Sequence, residues 1–168
     1  MGIKDRDPYE IFGSWLDKAS GTEINNPNAM TLATVGNDGR PSARMVLLKD
    51  FSPEGFVFYT NLDSPKSLEI RENPHAALLF HWKTQDRQVR IEGPVEQVPD
   101  AEADAYFATR PRAAQLGAWA SHQSHAMKGW ADLEKRLAKY TAKFHVGPVP
   151  RPEFWSGFRL RAERFEFW

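Results

Sequence analysis

The amino-acid sequence contains no cysteine. Without thiols the chain can form no disulfide bond, thiolate metal site, iron–sulfur cluster or thiol nucleophile, and this composition fits a reducing compartment. No apolar run approaches the length that a membrane span needs, and residues 1–7 are charged and contain no apolar signal-peptide core. We therefore expect a cytoplasmic protein.

Several common catalytic motifs are absent as well. The sequence has no glycine pair spaced for a Rossmann turn, no Walker loop and no Gly-x-Ser-x-Gly elbow, which argues against nucleotide hydrolysis and serine-esterase chemistry. Basic and acidic side chains balance at 22 each, so no overall charge would draw the chain to nucleic acid or to an anionic membrane. Among the five histidines only His122 and His125 lie close together, without an acidic residue at ligand spacing. We interpret them as solvated side chains and predict no metal site.

The length of 168 residues suffices for one hydrophobic core, so we predict a single domain over residues 1–168. Asp7-Pro8 predicts the start of a helix that continues to about Ser20, and Asn37-Asp38-Gly39 predicts a hairpin. Further hydrophobic spacing and turn residues predict strands at residues 29–35, 43–48, 55–60, 76–82, 88–95 and 157–168, with a change of phase near Glu163, and helices at residues 64–73, 100–109, 111–120 and 126–144. This order predicts an α+β fold with a β-rich core, a barrel or a sandwich, and flanking helices.

The most informative segment is Arg44-Met45-Val46-Leu47-Leu48-Lys49, a strand with a basic residue at each end of an apolar run. Arginine offers a planar fork that suits a phosphate, and lysine is a point charge that suits the polar edge of a ring, so the pair fits a phosphorylated heterocycle. Positions five apart face opposite sides of a regular strand, so one ligand contacts both only if the strand bends or the ligand wraps around its end. Taken alone, the segment is more often a plain sheet strand with solvated ends.

Neighbouring segments favour the ligand. Tyr59 and Thr60 end the next strand with two hydroxyl groups, and Ser64-Pro65-Lys66 then begins a short helix whose positive end is a candidate anion site. Gln88 could present its amide to the polar edge of a flavin, although a surface glutamine explains it equally well. The pair Gln123-Ser124 lies in a polar loop after Trp119 that could reach a second subunit.

In their order along the chain, these motifs resemble the pyridoxamine 5′-phosphate oxidase family over residues 28–168. Members of that family are FMN-dependent split β-barrel homodimers that oxidise pyridoxamine or pyridoxine 5′-phosphate to pyridoxal 5′-phosphate and reduce O₂ to hydrogen peroxide. Besides the segment from Arg44 to Lys49, the resemblance rests on Phe58-Tyr59-Thr60-Asn61, Arg87-Gln88-Val89, Tyr106-Phe107-Ala108-Thr109-Arg110-Pro111-Arg112, Gly117-Ala118-Trp119, Gln123-Ser124 and Phe154-Trp155-Ser156-Gly157-Phe158-Arg159.

The resemblance implies a role for individual residues. The substrate phosphate would contact Lys49, Tyr106 and Arg110, and Gln88 would lie near the isoalloxazine ring of FMN. The other implied FMN contacts are Arg44, Met45, Val46, Leu47, Leu48, Lys49, Tyr59, Thr60 and Lys66 from one subunit, with Gln123, Ser124 and Trp168 from the other. The flavin supplies the redox chemistry, so we assign no general base.

The sequence departs from the family pattern at three places. Pro65 stands where the family commonly has an arginine, Ala114 stands where the family has a serine on the substrate phosphate, and the family's Arg-Leu-His-Asp-Arg tail does not follow Trp168. We therefore keep three hypotheses. The first is an active oxidase whose sequence has been shortened, and the second is an FMN- or pyridoxal-phosphate-binding split-barrel protein with little or no turnover. The third is a barrel interaction module whose tryptophans serve only in packing.

Overall fold

The computed structural model describes residues 6–121 and 129–168, and this part of the chain contains five helices and eight strands. The helices are α1 (Pro8–Thr22), α2 (Pro65–Glu72), α3 (Asp100–Thr109), α4 (Arg112–Ala120) and α5 (Trp130–Lys143). The strands are β1 (Ala29–Val35), β2 (Pro41–Leu47), β3 (Asp50–Ser52), β4 (Gly55–Asn61), β5 (His75–Trp82), β6 (Arg87–Gln97), β7 (Trp155–Leu160) and β8 (Arg164–Phe167). The predicted α+β class with a β-rich core is confirmed.

All eight strands belong to one antiparallel sheet with the order β2-β1-β5-β6-β7-β4-β3, and β8 pairs with β6 beside this path. The long strand β6 changes partners, because residues 87–94 pair with β5 and residues 95–97 pair with β7. The sheet curls, and the chain that leaves β2 donates a hydrogen bond from the Lys49 amide to the Val57 carbonyl of β4 at 2.9 Å. This closure brings the two ends of the sheet together as half of a barrel.

Helix α1 covers the open side of the curled sheet. Its start is the predicted one, since the Asp7 carboxylate accepts a hydrogen bond from the Tyr9 amide at 2.9 Å and Pro8 occupies the first turn. Phe12 is fully buried, and its ring lies 5.0 Å from the rings of Phe56 and Phe80. Burial of such a side chain contributes about 1.5–3 kcal/mol, so the helix is held to the barrel mainly by this aromatic cluster.

The predicted change of phase near Glu163 is confirmed, because residues 161–163 separate β7 from β8. The Arg161 amide bonds to the Pro94 carbonyl, and the Glu163 amide bonds to the Glu92 carbonyl. A Cβ atom on Gly93 would lie 1.9 Å from the Arg161 carbonyl oxygen, so only glycine allows the chain to cross β6 at this point. As a result, β7 pairs with residues 95–97 of β6 and β8 pairs with residues 89–92 of the same strand.

Two elements differ from the prediction. Strand β3 was not predicted, because three residues between two turns give too short a pattern to detect. Helix α5 begins at Trp130, and the predicted start at residue 126 lies outside the described residues. No helix in residues 6–121 or 129–168 has the length and apolar character needed to cross a bilayer. The assignment of the whole chain to one domain stays a prediction.

Candidate functional site

A cavity of about 540 Å³ opens between the end of β2, strand β4, the start of α2 and the α3–α4 junction, and we call it the polar pocket. Exposed and more buried positions alternate along β2 and on to Lys49, so Met45, Leu47 and Lys49 share the face that lines the cavity, and Leu48 is buried. Arg44, five positions before Lys49, is not among the residues that line the cavity. The predicted site residues that line the cavity are Met45, Val46, Leu47, Lys49, Tyr59, Thr60, Lys66, Tyr106 and Arg110.

One end of the polar pocket lies at the N-terminus of α2, and Thr60, Ser64 and Lys66 form this α2 end. The Lys66 side chain is buried, and its Nζ donates hydrogen bonds to Thr60 Oγ1 at 3.2 Å and to Ser64 Oγ at 3.1 Å. Pro65 occupies the first turn of α2, where a missing N–H removes no intrahelical bond. Burial, and then the nearby charge of Arg44, lower the pKa of Lys66. The α2 end thus combines a buried cation with a positive helix terminus, which favours an anion.

Arg44 lies beside the α2 end, outside the lining of the polar pocket. Its Nη1 donates to the Leu32 carbonyl at 3.2 Å and to Thr34 Oγ1, and its Nη2 donates to Ser42 Oγ and, at 3.0 Å, to Glu69 Oε2. Thr34 and Ser42 also donate to the same Glu69 oxygen. Burial raises the pKa of Glu69, but the hydrogen bonds from Thr34, Ser42 and Arg44 together lower it by more, so the pKa is lower than the ordinary value. Glu69 therefore joins α2 to β1 and β2 as an ionised carboxylate.

A second part of the polar pocket lies at the end of α3, and Lys49, Tyr106 and Arg110 form what we call the α3 end. Arg110 ends α3 just before Pro111, and its guanidinium carbon lies 4.8 Å from the ring centroid of Trp155. Arg110 Nη1 is buried and has no hydrogen-bond acceptor among the residues that the structure describes. Burial and the charge of Arg110 lower the pKa of Lys49, whereas burial raises the pKa of Tyr106.

The two cations of the α3 end have no salt bridge to a carboxylate within residues 6–121 and 129–168. An unpaired guanidinium N–H away from water is costly, since a buried donor normally finds a partner. An anion with several oxygen atoms, such as a phosphate, would satisfy Arg110 and offset the repulsion between Arg110 and Lys49. The α3 end is therefore a second candidate anion site in the same cavity.

Stacked aromatic rings form the wall between the strands and α3. The Tyr59 ring lies 4.1 Å from the Tyr106 ring and 5.1 Å from the Trp155 ring, in nearly parallel planes. Burial, assisted by the negative charge of Glu102, raises the pKa of Tyr59 to about 12, so its hydroxyl stays protonated at neutral pH. The wall therefore offers neutral phenols and flat apolar faces to a ligand.

Comparisons with known proteins agree with this geometry. A sequence model of the family described as Pyridoxamine 5′-phosphate oxidase matches residues 16–144. The chain belongs to this family. A relative from Rhodospirillum rubrum, named pyridoxine/pyridoxamine 5′-phosphate oxidase, is 57% identical over 171 residues, which cover 99% of this chain and 85% of the relative. A protein of the same name from Brucella anthropi is 56% identical and covers 96% of this chain and 79% of its own length.

Solved structures of other proteins share the fold. PhzG from Burkholderia lata 383, in complex with tetrahydrophenazine-1-carboxylic acid, has a TM-score of 0.89 and 30% identity over 96% of this chain and 79% of its own. A pyridoxamine 5′-phosphate oxidase-related, FMN binding protein from Nostoc punctiforme has a TM-score of 0.75 over 99% of this chain and 86% of its own. At 16% identity the second likeness shows the fold alone. The predicted split β-barrel with flanking helices is confirmed.

The remaining residues implied by the family resemblance lie elsewhere. Leu48 is buried in the core. Gln88 and Trp168 exchange two backbone hydrogen bonds, at 2.7 and 2.8 Å, and neither lines the polar pocket. The Trp168 side chain is 80% exposed. Gln123 and Ser124 lie outside the described residues.

Sequence reasoning missed one wall of the polar pocket. The lining residues that were not predicted as contacts are Asn61, Gly117, Ala118, Ser121 and Trp155, and they line the cavity together with Ala114, which the family resemblance placed at the substrate phosphate. With Ala114, three of them follow the helical spacing i, i+3, i+4 and i+7 along α4, so small residues at this spacing are the signal that could have identified a helix face open to a ligand. Among the described residues no three histidine or acidic side chains cluster as metal ligands would.

Proposed function

We propose that this chain oxidises pyridoxamine 5′-phosphate or pyridoxine 5′-phosphate to pyridoxal 5′-phosphate, with FMN as cofactor and O₂ as electron acceptor. The main support is the presence of two cationic ends in one cavity, which suits a phosphorylated cofactor and a phosphorylated substrate that must meet. Family relatives with 56–57% identity have the name of this oxidase. The substrate class therefore agrees with both the chemistry of the pocket and the relatives.

The α2 end fits the phosphate of FMN. The buried Lys66 amine and the N-terminus of α2 favour an anion, and the hydroxyl of Thr60, which lines the cavity, adds a hydrogen-bonding group. Met45 and Leu47 provide apolar surface beside this end for a flavin ring. When bound, FMN would supply the redox chemistry, namely acceptance of a hydride from the substrate carbon and transfer of two electrons to O₂ to give hydrogen peroxide, and with the amine substrate water would then release ammonia.

The α3 end fits the phosphate of the substrate. Arg110 has a buried N–H without an acceptor in the described residues, Lys49 adds a second cation, and the Tyr106 hydroxyl stays protonated and can donate. Binding the phosphate here fixes the position of the pyridine ring relative to the other end of the pocket, which converts a bimolecular encounter into an oriented one. These residues bind and orient, and none is assigned as a general base.

We further propose a homodimer that completes the flavin site. Met45 and Leu47 on the edge strand β2 are 63% and 37% exposed and lie two positions apart on one face, which gives an apolar surface that a second copy would cover. Gln88 and Trp168 are held together on β6 and the end of β8, so a second copy that brings Trp168 to the flavin would bring Gln88 with it. We also propose a cytoplasmic location, from the absence of cysteine.

The proposal is tested by binding and then by turnover. Titration of the purified protein with FMN should quench flavin fluorescence with a stoichiometry of one per chain. Addition of pyridoxamine 5′-phosphate in air should then yield pyridoxal 5′-phosphate by absorbance and an equal amount of hydrogen peroxide. Protein that binds FMN but forms no product with either phosphorylated vitamer would contradict the oxidase proposal and favour a binding protein.

A further inference from the structure

Gly157 lies directly opposite Tyr59 in the β4–β7 ladder, and both residues face the polar pocket's aromatic wall. Residues directly opposite in an antiparallel pair project from the same face of the sheet, and so do residues two apart on one strand. Gly157 therefore shares a face with both Tyr59 and Trp155. The glycine leaves a gap beside the Trp155 indole, and the Tyr59 ring lies in this gap.

The gap has no room for a methyl group. A Cβ atom on Gly157 would lie 2.7 and 2.8 Å from two ring carbons of Tyr59 and 3.0 Å from Val98 Cγ2. Val98 is buried, with 2% exposed, so it cannot move aside without disturbing the small cluster that it forms with Val57. The backbone of Gly157 has no positive φ, so an alanine at this position would strain the ring contact and not the backbone.

The Tyr59 ring is in contact with two other rings of the site, so it cannot shift alone. Its centroid lies 4.1 Å from that of Tyr106 and 5.1 Å from that of Trp155, and the Tyr106 and Trp155 centroids are 6.2 Å apart. Arg110 in turn lies over the Trp155 ring at 4.8 Å. A displacement that starts at Gly157 therefore passes through Tyr59 to Tyr106 and Arg110, two of the three residues of the α3 end.

We propose that Gly157 is a positioning residue for the substrate phosphate, because its missing side chain seats the Tyr59 ring against which Tyr106 and Trp155 are stacked. The glycine contacts no ligand itself. This inference rests on the proposed function, since the α3 end is the part of the site that would bind the substrate phosphate. It also explains how the Tyr59 ring of β4 can lie against the backbone of β7, since a glycine in a sheet is often covered by an aromatic ring from the neighbouring strand.

The test compares Gly157→Ala with Ser156→Ala, the neighbouring buried position, whose hydroxyl has no partner in the described residues. Binding of pyridoxal 5′-phosphate and of pyridoxal, which has no phosphate, is measured by protein fluorescence in the absence of FMN. For Gly157→Ala we expect the dissociation constant of pyridoxal 5′-phosphate to rise about tenfold, with less than about a twofold change for pyridoxal. Ser156→Ala should leave both constants unchanged.

Turnover and near-ultraviolet circular dichroism provide independent measurements. In Gly157→Ala, KM for pyridoxamine 5′-phosphate should rise about tenfold with a smaller fall in kcat, because the groups that bind the phosphate are displaced. The near-ultraviolet spectrum of the FMN-free protein should lose intensity from the stacked Tyr59 and Trp155 rings, with an unchanged far-ultraviolet spectrum. Ser156→Ala should retain the near-ultraviolet intensity.

The outcomes separate this inference from the proposed function. A wild-type protein that does not prefer pyridoxal 5′-phosphate over pyridoxal would overturn the assignment of the α3 end itself. If the wild type and Gly157→Ala prefer pyridoxal 5′-phosphate over pyridoxal to the same extent, only the proposed role of Gly157 is overturned. If Gly157→Ala does not fold, Tyr59→Leu replaces it: it removes the flat ring without adding volume, and the same loss of phosphate preference is expected. Retained preference in a folded Tyr59→Leu protein would contradict the inference.

Discussion

The two ends of the polar pocket contain cations in different states of pairing. At the α2 end, Lys66 bonds to two hydroxyls, and the neighbouring Arg44 uses both terminal nitrogens on its own chain, including the Glu69 carboxylate. At the α3 end, Arg110 has a buried nitrogen without an acceptor among the described residues, and Lys49 repels it. The α2 end is therefore organised before any ligand arrives, whereas the α3 end is completed by one.

This difference fits the two ligands of a flavin oxidase. A cofactor that stays bound through many turnovers benefits from a site whose groups are already fixed, because little order is lost on binding. A substrate that is exchanged at every turnover gains more from groups that are unsatisfied without it, and its phosphate can then be used to orient the reacting carbon. Variants that act on one end should therefore leave the other end unchanged.

The largest expected effect belongs to Arg110→Ala. The change removes the one guanidinium at the α3 end and its stacking on Trp155, so kcat/KM for pyridoxamine 5′-phosphate should fall by about 100-fold, mostly through KM. Arg110→Lys keeps the charge without the planar fork, so its kcat/KM should lie between those of the wild type and Arg110→Ala. The FMN dissociation constant, measured by flavin fluorescence, should not change. A parallel loss of FMN affinity would show that the two ends are not independent.

A smaller effect with two opposite signs is expected for Lys66→Met. Loss of the buried cation should raise the FMN dissociation constant about tenfold, because a charge-assisted bond to the phosphate is lost. The same change should raise the free energy of unfolding of the FMN-free protein by about 1 kcal/mol, because a desolvated ammonium beside Arg44 is replaced by an apolar chain of similar length.

The pH dependence of stability provides the control for Lys66→Met. The folded-state pKa of Lys66 is lowered from an ordinary value of 10.5, so the unfolded chain binds more protons between the two values. The free energy of unfolding of the FMN-free wild type should therefore rise with pH across that interval. The rise should be smaller in Lys66→Met. An equal rise in both proteins would assign it to other groups and would weaken the electrostatic account of the α2 end.

Much of the fold could be predicted from local patterns. The Asp7-Pro8 helix start, the hairpin at Asn37-Asp38-Gly39 and the change of phase near Glu163 each depend on a few adjacent residues, and each is present in the structure. Strand β3 was missed because three residues form no periodic pattern. The partner change along β6 could not be predicted, since it depends on which distant strands arrive there.

The sequence predicted which types of residue form the candidate site better than it predicted which way their side chains point. Lys49 and Lys66 both line the polar pocket, and the position of Lys66 follows from the Ser64-Pro65 helix start that the local sequence predicts. Arg44 turns toward Glu69, a residue 25 positions away on another element, and no strand pattern contains this partner. Most of the contribution of α4 was also missed, because small residues such as Gly117 and Ala118 have no polar group that would indicate a ligand contact.

The smallest expected effect concerns the link that keeps the α2 end organised. Glu69→Gln keeps the shape of the side chain but removes the charge that Arg44, Thr34 and Ser42 share, so the free energy of unfolding of the FMN-free protein should fall by about 1–2 kcal/mol at neutral pH. Glu72→Gln, three residues along α2, is the matched control. Its carboxylate accepts one hydrogen bond from the Asn37 amide, and its loss should cost less than about 0.5 kcal/mol.

Acid unfolding distinguishes the charge of Glu69 from its shape. The folded-state pKa of Glu69 is lowered from 4.5, so its contribution to stability is complete above the unfolded value and is lost as pH falls through the folded one. The difference in unfolding free energy between wild type and Glu69→Gln should therefore shrink below pH 4.5. A difference that stays constant down to the lowest pH would mean that hydrogen-bond geometry, and not the carboxylate charge, organises the α2 end. The contrast between a prepaired and an unpaired end would then rest on Lys66 alone.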